Sequence, residues 1–153
     1  MRAYSFSEFI DRPREQVWRA LTDMRVASRW RPLIVSMEAL DNAPLAVGTR
    51  IHLVIEYLGR RSEHISVTTV FDINKRWTLH SSSSPAIEGW FDFQLSDEKN
   101  GTRILATCDL KAHGWLNWLF LPLIARGERT RRIEMLPNLK RFVESTEKWG
   151  DHS

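Results

Sequence analysis

Acid–base or nucleophilic chemistry needs a carboxylate, imidazole, phenol or thiol held against an apolar pocket, and few residues of this chain qualify. Glu8 interrupts an apolar row of Tyr4, Phe6 and Ile10. In a regular strand its carboxylate would point the same way as those side chains, where burial raises a pKa toward useful acid–base chemistry. The plainer reading, a strand-end carboxylate hydrated or paired with an arginine, is preferred. Tyr57 shares a face with Ile51, Leu53 and Ile55, so its hydroxyl either orients a ligand among apolar walls or is satisfied inside a core. His64 and His80 lie on strands whose phase a single bulge would reverse, and the simplest placement leaves both outside. Glu56, Glu88, Asp92 and Asp109 take the outward phase.

Other chemistries lack their residues. The five histidines (His52, His64, His80, His113, His152) show no short paired spacing and there is no cysteine cluster, so no metal site is expected. The seven glycines are scattered, with no phosphate-cradling loop, and no cofactor is implied. Cys108 shares a strand face with Ile104, Ala106 and Leu110, the setting of a buried, inert small hydrophobe. A single cysteine excludes an internal disulfide and fits a reducing compartment. The net charge of +3 is too small to imply nucleic acid, although Arg126, Arg129, Arg131 and Arg132 cluster locally. "MRAYSFSEFI" does not resemble a signal peptide, and "WLNWLFLPLIA" (115–125) is too short to span a bilayer, so a cytoplasmic location is expected.

The elements that must position these groups follow from periodicity. At 153 residues, 42% hydrophobic and 27% charged, the chain fits one domain over 1–148 with a short tail, 149–153. Residues 4–10 alternate as a strand. Asp11 and Pro13 open a helix over about 14–22 that places Val17, Trp18 and Leu21 on one face, and a second short helix runs to about Trp30, where Pro32 stops it. From there to about 112 the pattern is β. Strands are predicted at 51–57, 65–71, 76–81, 87–95 and 102–110, joined by "LGRRS", "INK", "SSSP" and "DEKNG". After Gly114 the period turns helical to about Lys148, and Pro122 and Pro137 should each kink or interrupt that helix. The class is α+β, with helices on one face of an antiparallel meander.

This ordered set resembles a known family. "IDRPREQVWRALTD" followed by "RW", then "VGTRI", "NGTRIL" and "LPNLKRFVE", is similar to the START-like, polyketide cyclase/dehydrase group of the SRPBCC superfamily, from about Tyr4 to Glu144. The resemblance implies a helix-grip fold like that of birch-pollen-allergen-like proteins. In that fold a curved seven-stranded antiparallel sheet wraps a long C-terminal helix, leaving an apolar cavity between them. It also implies hydrophobic ligands, with cyclisation, dehydration or hydrolysis in some members.

Within such a cavity the expected ligand-binding residues are Ile55, Tyr57, Phe91 and Phe93 from the sheet and Leu123, Arg126, Gly127 and Thr130 from the helix. Arg126 would meet an acidic head group at the rim. Trp30 serves equally as core or cavity wall, whereas Trp18 reads as core. The seven tryptophans suit either role. Three functions follow in order of preference. The first is binding of a small or medium hydrophobic molecule without transforming it. The second is a cyclase or dehydratase using Glu8 or Tyr57 with a histidine. The third is contact with a membrane surface or a protein partner through "WLNWLFLPLIARGER", with Trp115 and Trp118 inserting beside arginines.

Overall fold

Alternating strands joined by tight turns form one seven-stranded antiparallel sheet in a computed structural model that describes residues 1–82 and 85–145. The strands are β1 (Arg2–Ile10), β2 (Ile34–Ala39), β3 (Arg50–Tyr57), β4 (Arg60–Asp72), β5 (Arg76–Ser81), β6 (Ile87–Glu98) and β7 (Gly101–Ala112). Their order is β1-β7-β6-β5-β4-β3-β2, a meander with β1 folded back onto β7. The predicted tail, 149–153, lies outside the described residues, as do 146–148 of the predicted helix and part of the "SSSP" turn.

Turn chemistry sets the register. Leu58–Gly59 and Lys99–Asn100 connect β3 to β4 and β6 to β7, and all four residues have positive φ. That is the backbone handedness that a two-residue hairpin needs to match strand twist. Beyond the second turn, a Cβ on Gly101 would lie 2.6 Å from the Ile10 carbonyl oxygen, so β1 can approach β7 there only because the residue is glycine. The pairing slips at Arg2/Tyr4, Ile34/Ser36 and Thr68/Val70. Each irregularity bends its strand and curves the sheet around what it covers.

Pro13 precedes α1 (Arg14–Thr22), which buries Val17, Trp18, Ala20 and Leu21. The Trp18 ring stands 5.4 Å from Phe71, so Trp18 is core as expected. The second short helix is a 3-10 segment, Met24–Arg29, opened by the Asp23 carboxylate accepting from the Arg25 amide.

The C-terminal helix is bent into two parts, α2 (Trp115–Arg132) and α3 (Met135–Ser145). Its break at 133–134 is placed by Pro137, which cannot donate to the Ile133 carbonyl and crowds it. The Asn138 amide then donates to Glu134 and restarts the helix. Pro122, expected to kink or interrupt, sits inside α2 without ending it. It lies on the exposed side of the helix, where the carbonyl it frees can be hydrated.

The two parts have different work. α3 buries Met135, Leu136, Leu139 and Val143 within eleven residues, packing against α1 and β1. α2 buries only Leu121 and Ala125 within eighteen. Ile10, Ile51, Trp77 and Ile104 of the sheet are completely buried in the core that α3 joins. Trp30 is buried among the core residues, 1% exposed, and does not line the space between α2 and the sheet. Trp30→Ala should therefore cost about 3–5 kcal/mol in a urea titration. Trp118→Ala, at a position 68% exposed, should shift stability by no more than about 0.5 kcal/mol.

Candidate functional site

Between α2 and the inner face of the sheet lies a cavity of about 370 Å3, within the range of small-molecule sites. Its β3 wall is apolar, from Leu53 and Ile55 to Tyr57 at the rim, where Tyr57 is 45% exposed. The neighbouring strand β4 is polar on the same inner face. Leu53 pairs with His64, Ile55 with Ser62 and Ile51 with Ser66, and all three β4 side chains take the inward phase. The β4 phase is thus opposite to the one its hydrophobic pattern predicts. Ile65 is 43% exposed on the outer face, and only the irregularity at Thr68/Val70 turns Phe71 back inward. Leu79, Phe91, Phe93 and Leu110 complete the apolar floor.

Several expected site residues come together here and others do not. Ile55, Tyr57, Phe91 and Phe93 line the cavity. His64 lines it too, contrary to its expected outward placement, and its Nε2 is 2.9 Å from the Ser62 hydroxyl. His80 stays outside, stacked on Trp90 and bonded to Glu88. Glu8 keeps the phase of Tyr4 and Phe6, but it sits toward the end of edge strand β1, partly exposed and outside the cavity. Leu123 (67% exposed), Arg126, Gly127 and Thr130 are not wall residues either. The helix presents Ile124, Glu128, Arg131 and Met135 instead, with Arg132 beside them. That row has the expected helical spacing but is rotated by one residue, about 100°. Thr130 merely donates back to the Arg126 carbonyl. Cys108 is fully buried with Ala106 and Leu110, and burial pushes its thiol well above the ordinary range.

The group that sequence reading missed is Arg31. Pro32 disfavours a helical conformation at residue 31 and ends the 3-10 segment there. The Arg31 amide donates to Ala27, and the Leu33 carbonyl accepts from Glu56, so this short loop is pinned at both ends. Its side chain enters the cavity wall, only 8% exposed. The guanidinium carbon lies 4.7 Å from the Trp30 ring centre, 5.2 Å from Phe93 and 5.6 Å from Trp77. No carboxylate meets it among the described residues, and its Nε and Nη2 have no hydrogen-bond partner. Burial, with some repulsion from Arg132, lowers its pKa to about 10, which leaves it a cation at neutral pH.

The other charges of the wall are organised around Glu128. Its carboxylate accepts from Arg131 Nη2 and Arg132 Nε, each at 3.0 Å. Burial alone would raise its pKa, but Arg132 and Arg131 outweigh that and hold it below the ordinary value. Arg131 also covers the Tyr57 ring, 5.4 Å from its centre. His64 is shifted down, first by burial and then by Arg132, so it is neutral near pH 7. Three guanidinium groups therefore face one carboxylate, and the cavity is electropositive. Among the described residues no group of histidine, cysteine and carboxylate side chains could hold a metal ion.

The Glu128 ion pairs make a pH prediction. With its folded pKa below the ordinary 4.5, the stabilisation is fully present above that value and is lost as pH falls beneath it. Glu128→Gln should be less stable at pH 7 by about 1–3 kcal/mol. Thermal unfolding should show a smaller loss of stability below pH 4.5 in the variant than in the unmodified protein.

Comparison with known proteins places this geometry in context. The chain resembles TTHA0849 of Thermus thermophilus in fold, with a TM-score of 0.75, 18% identity and coverage of 94% of this chain and 97% of that one. It is similarly close to NE0264 of Nitrosomonas europaea (TM-score 0.75, 15% identity, 94% and 95% coverage). Ara h 8.0201 follows at a TM-score of 0.67 with 13% identity, over 93% and 97% of the two chains. None of the curated proteins matches this sequence. A family model described as "Polyketide cyclase / dehydrase and lipid transport" matches residues 1–144. A curved sheet gripping a bent C-terminal helix, together with that match over nearly the whole chain, makes this protein a member of the polyketide cyclase/dehydrase and lipid transport family, with the START-like, helix-grip fold.

Proposed function

We propose that this protein binds a small or medium hydrophobic molecule in the cavity between sheet and α2, without transforming it. The observation that supports this reading is the cavity itself, about 370 Å3 with apolar walls from β3, β5 and β6. Family membership and the likeness to helix-grip proteins support it as well. Catalysis as a cyclase or dehydratase would fall to His64 and Tyr57. Glu8 is too far out to serve them, and the single carboxylate in the lining, Glu128, is held by two arginines.

The test is titration with a neutral fluorescent probe, N-phenyl-1-naphthylamine. It should bind the folded protein with an increase in emission. Ile55→Trp, which fills the cavity from its wall, should weaken binding by on the order of tenfold, about 1.4 kcal/mol, and leave the fold intact. No probe binding, or binding indifferent to Ile55→Trp, would remove the reading.

A second reading, contact with an anionic membrane surface, is favoured by the outer face of α2. Trp115, Leu116, Trp118, Leu119, Phe120 and Leu123 are each at least half exposed. Arg126 and Arg129, also exposed, follow them along the helix, and the single acid of α2, Glu128, turns away into the cavity. Apolar side chains followed by cations complement the acyl and phosphate layers of an anionic bilayer. No helix among the described residues is long and apolar enough to cross a membrane, so this contact would be superficial. The protein should co-sediment with phosphatidylglycerol vesicles, and weakly with phosphatidylcholine ones. Trp118→Glu should abolish the association, and equal recovery of both proteins with both vesicles would rule it out.

A further inference from the structure

A lone cation in a protein interior is costly unless something negative meets it. Arg31 is such a cation. The three rings around it offset part of the cost, since an aromatic face attracts a guanidinium. They supply no hydrogen-bond acceptor in the plane of the guanidinium. The one carboxylate in the cavity lining, Glu128, is engaged by Arg131 and Arg132, and Arg132 repels Arg31 rather than relieving it.

The unpartnered nitrogens are specific ones. Nε and Nη2 lie on the same side of a guanidinium and form the fork that grips a carboxylate through two parallel bonds. Four other arginines of this chain use that same pair on a single acid. Arg103 holds Glu98 at 2.7 and 2.8 Å, Arg25 holds Asp23 at 3.0 Å twice, and Arg2 and Arg76 clasp Asp109 and Asp92 in the same way. On Arg31 both fork nitrogens are buried without a partner, in a residue that lines the cavity.

We infer that the ligand is an amphiphilic carboxylate, with its apolar body against β3, β5 and β6 and its carboxylate taken by the Arg31 fork. This rests on the cavity-binding reading and narrows it to a chemical class, a fatty acid or an aryl-alkyl acid. The fork lies against the rings, and a turn about the end of the long side chain brings it to the ligand. Arg131 and Arg132, already sharing Glu128, add a positive field that draws an anion inward. His64, neutral and bonded to Ser62, adds no second charge to compete for it.

The experiment compares decanoic acid with 1-decanol, which share a chain and differ in charge, as competitors of N-phenyl-1-naphthylamine at pH 7.5. The unmodified protein should prefer decanoate by about tenfold or more, as expected for a hydrogen-bonded charged group. In Arg31→Met the probe should still bind and the preference should vanish. Arg31→Lys, which keeps the charge and loses the fork, should fall between the two. Equal affinity of the unmodified protein for acid and alcohol overturns the inference, whatever the variants do, and leaves the cavity reading standing if the probe binds. A decanoate preference that survives Arg31→Met also overturns it, since the anion would then be held by Arg131 or Arg132. Failure of the probe to bind the unmodified protein removes the cavity reading first, so the two failures are distinguishable.

Discussion

The missing amide of Pro137 is the constraint on which the arrangement of this protein depends. Without a proline there, one continuous helix would run straight across a sheet that curves, and it would pack evenly or not at all. The break at 133–134 lets α3 press into the sheet and α1, burying four of its eleven residues. It leaves α2 lying over β1 and β7 with only two of its eighteen residues buried. The cavity is the space that results, and its occupant would replace the packing that α2 does not make.

The side chains around that space have been assigned opposite tasks on neighbouring strands. β3 offers Leu53 and Ile55, while β4 turns Ser62, His64 and Ser66 inward and leaves Ile65 outside. A packed core would have reversed β4, because its branched residues would gain more from burial than its serines. Polar groups facing inward opposite an apolar strand make sense where something other than protein fills the interior. Arg31 and the Glu128 cluster extend the same asymmetry into charge. Cations are set among the apolar walls, Arg31 against Trp30 and Phe93 and Arg131 over Tyr57, and the most deeply buried guanidinium is the one without a counter-charge.

Outside, α2 carries a comparable division along its length. Its first three turns are apolar and exposed, and arginines follow on the same outward arc. Since the same helix forms one wall of the cavity through Ile124 and Glu128, anything that displaces α2 from outside also changes the interior. Surface contact and ligand exchange would then be coupled through one weakly buried element.

Local order was legible from the sequence alone. Two-residue alternation located the long strands, the proline at 13 opened α1, and apolar spacing after Gly114 announced the C-terminal helix. The buried row Ile104, Ala106, Cys108, Leu110 was readable because β7 is a central strand whose phase no irregularity disturbs. Ile55 and Tyr57, and likewise Phe91 and Phe93, lie along the cavity because alternation within β3 and β6 runs unbroken against β4 and β5. What the sequence could not decide was rotation and closure. Helical spacing is the same whichever stripe faces inward, so Leu123, Gly127 and Thr130 looked as good as Ile124, Glu128 and Arg131 until the break at Pro137 set the angle of α2. His64 was misplaced because hydrophobicity fixes a strand's phase only where the facing space is filled by protein. Glu8 had the right phase, but its distance from the cavity depends on where an edge strand ends. Arg31 was invisible, since an arginine before a proline in a loop reads as solvent-facing. Only the tertiary fold, by closing Trp30, Trp77 and Phe93 around it, took that charge out of water.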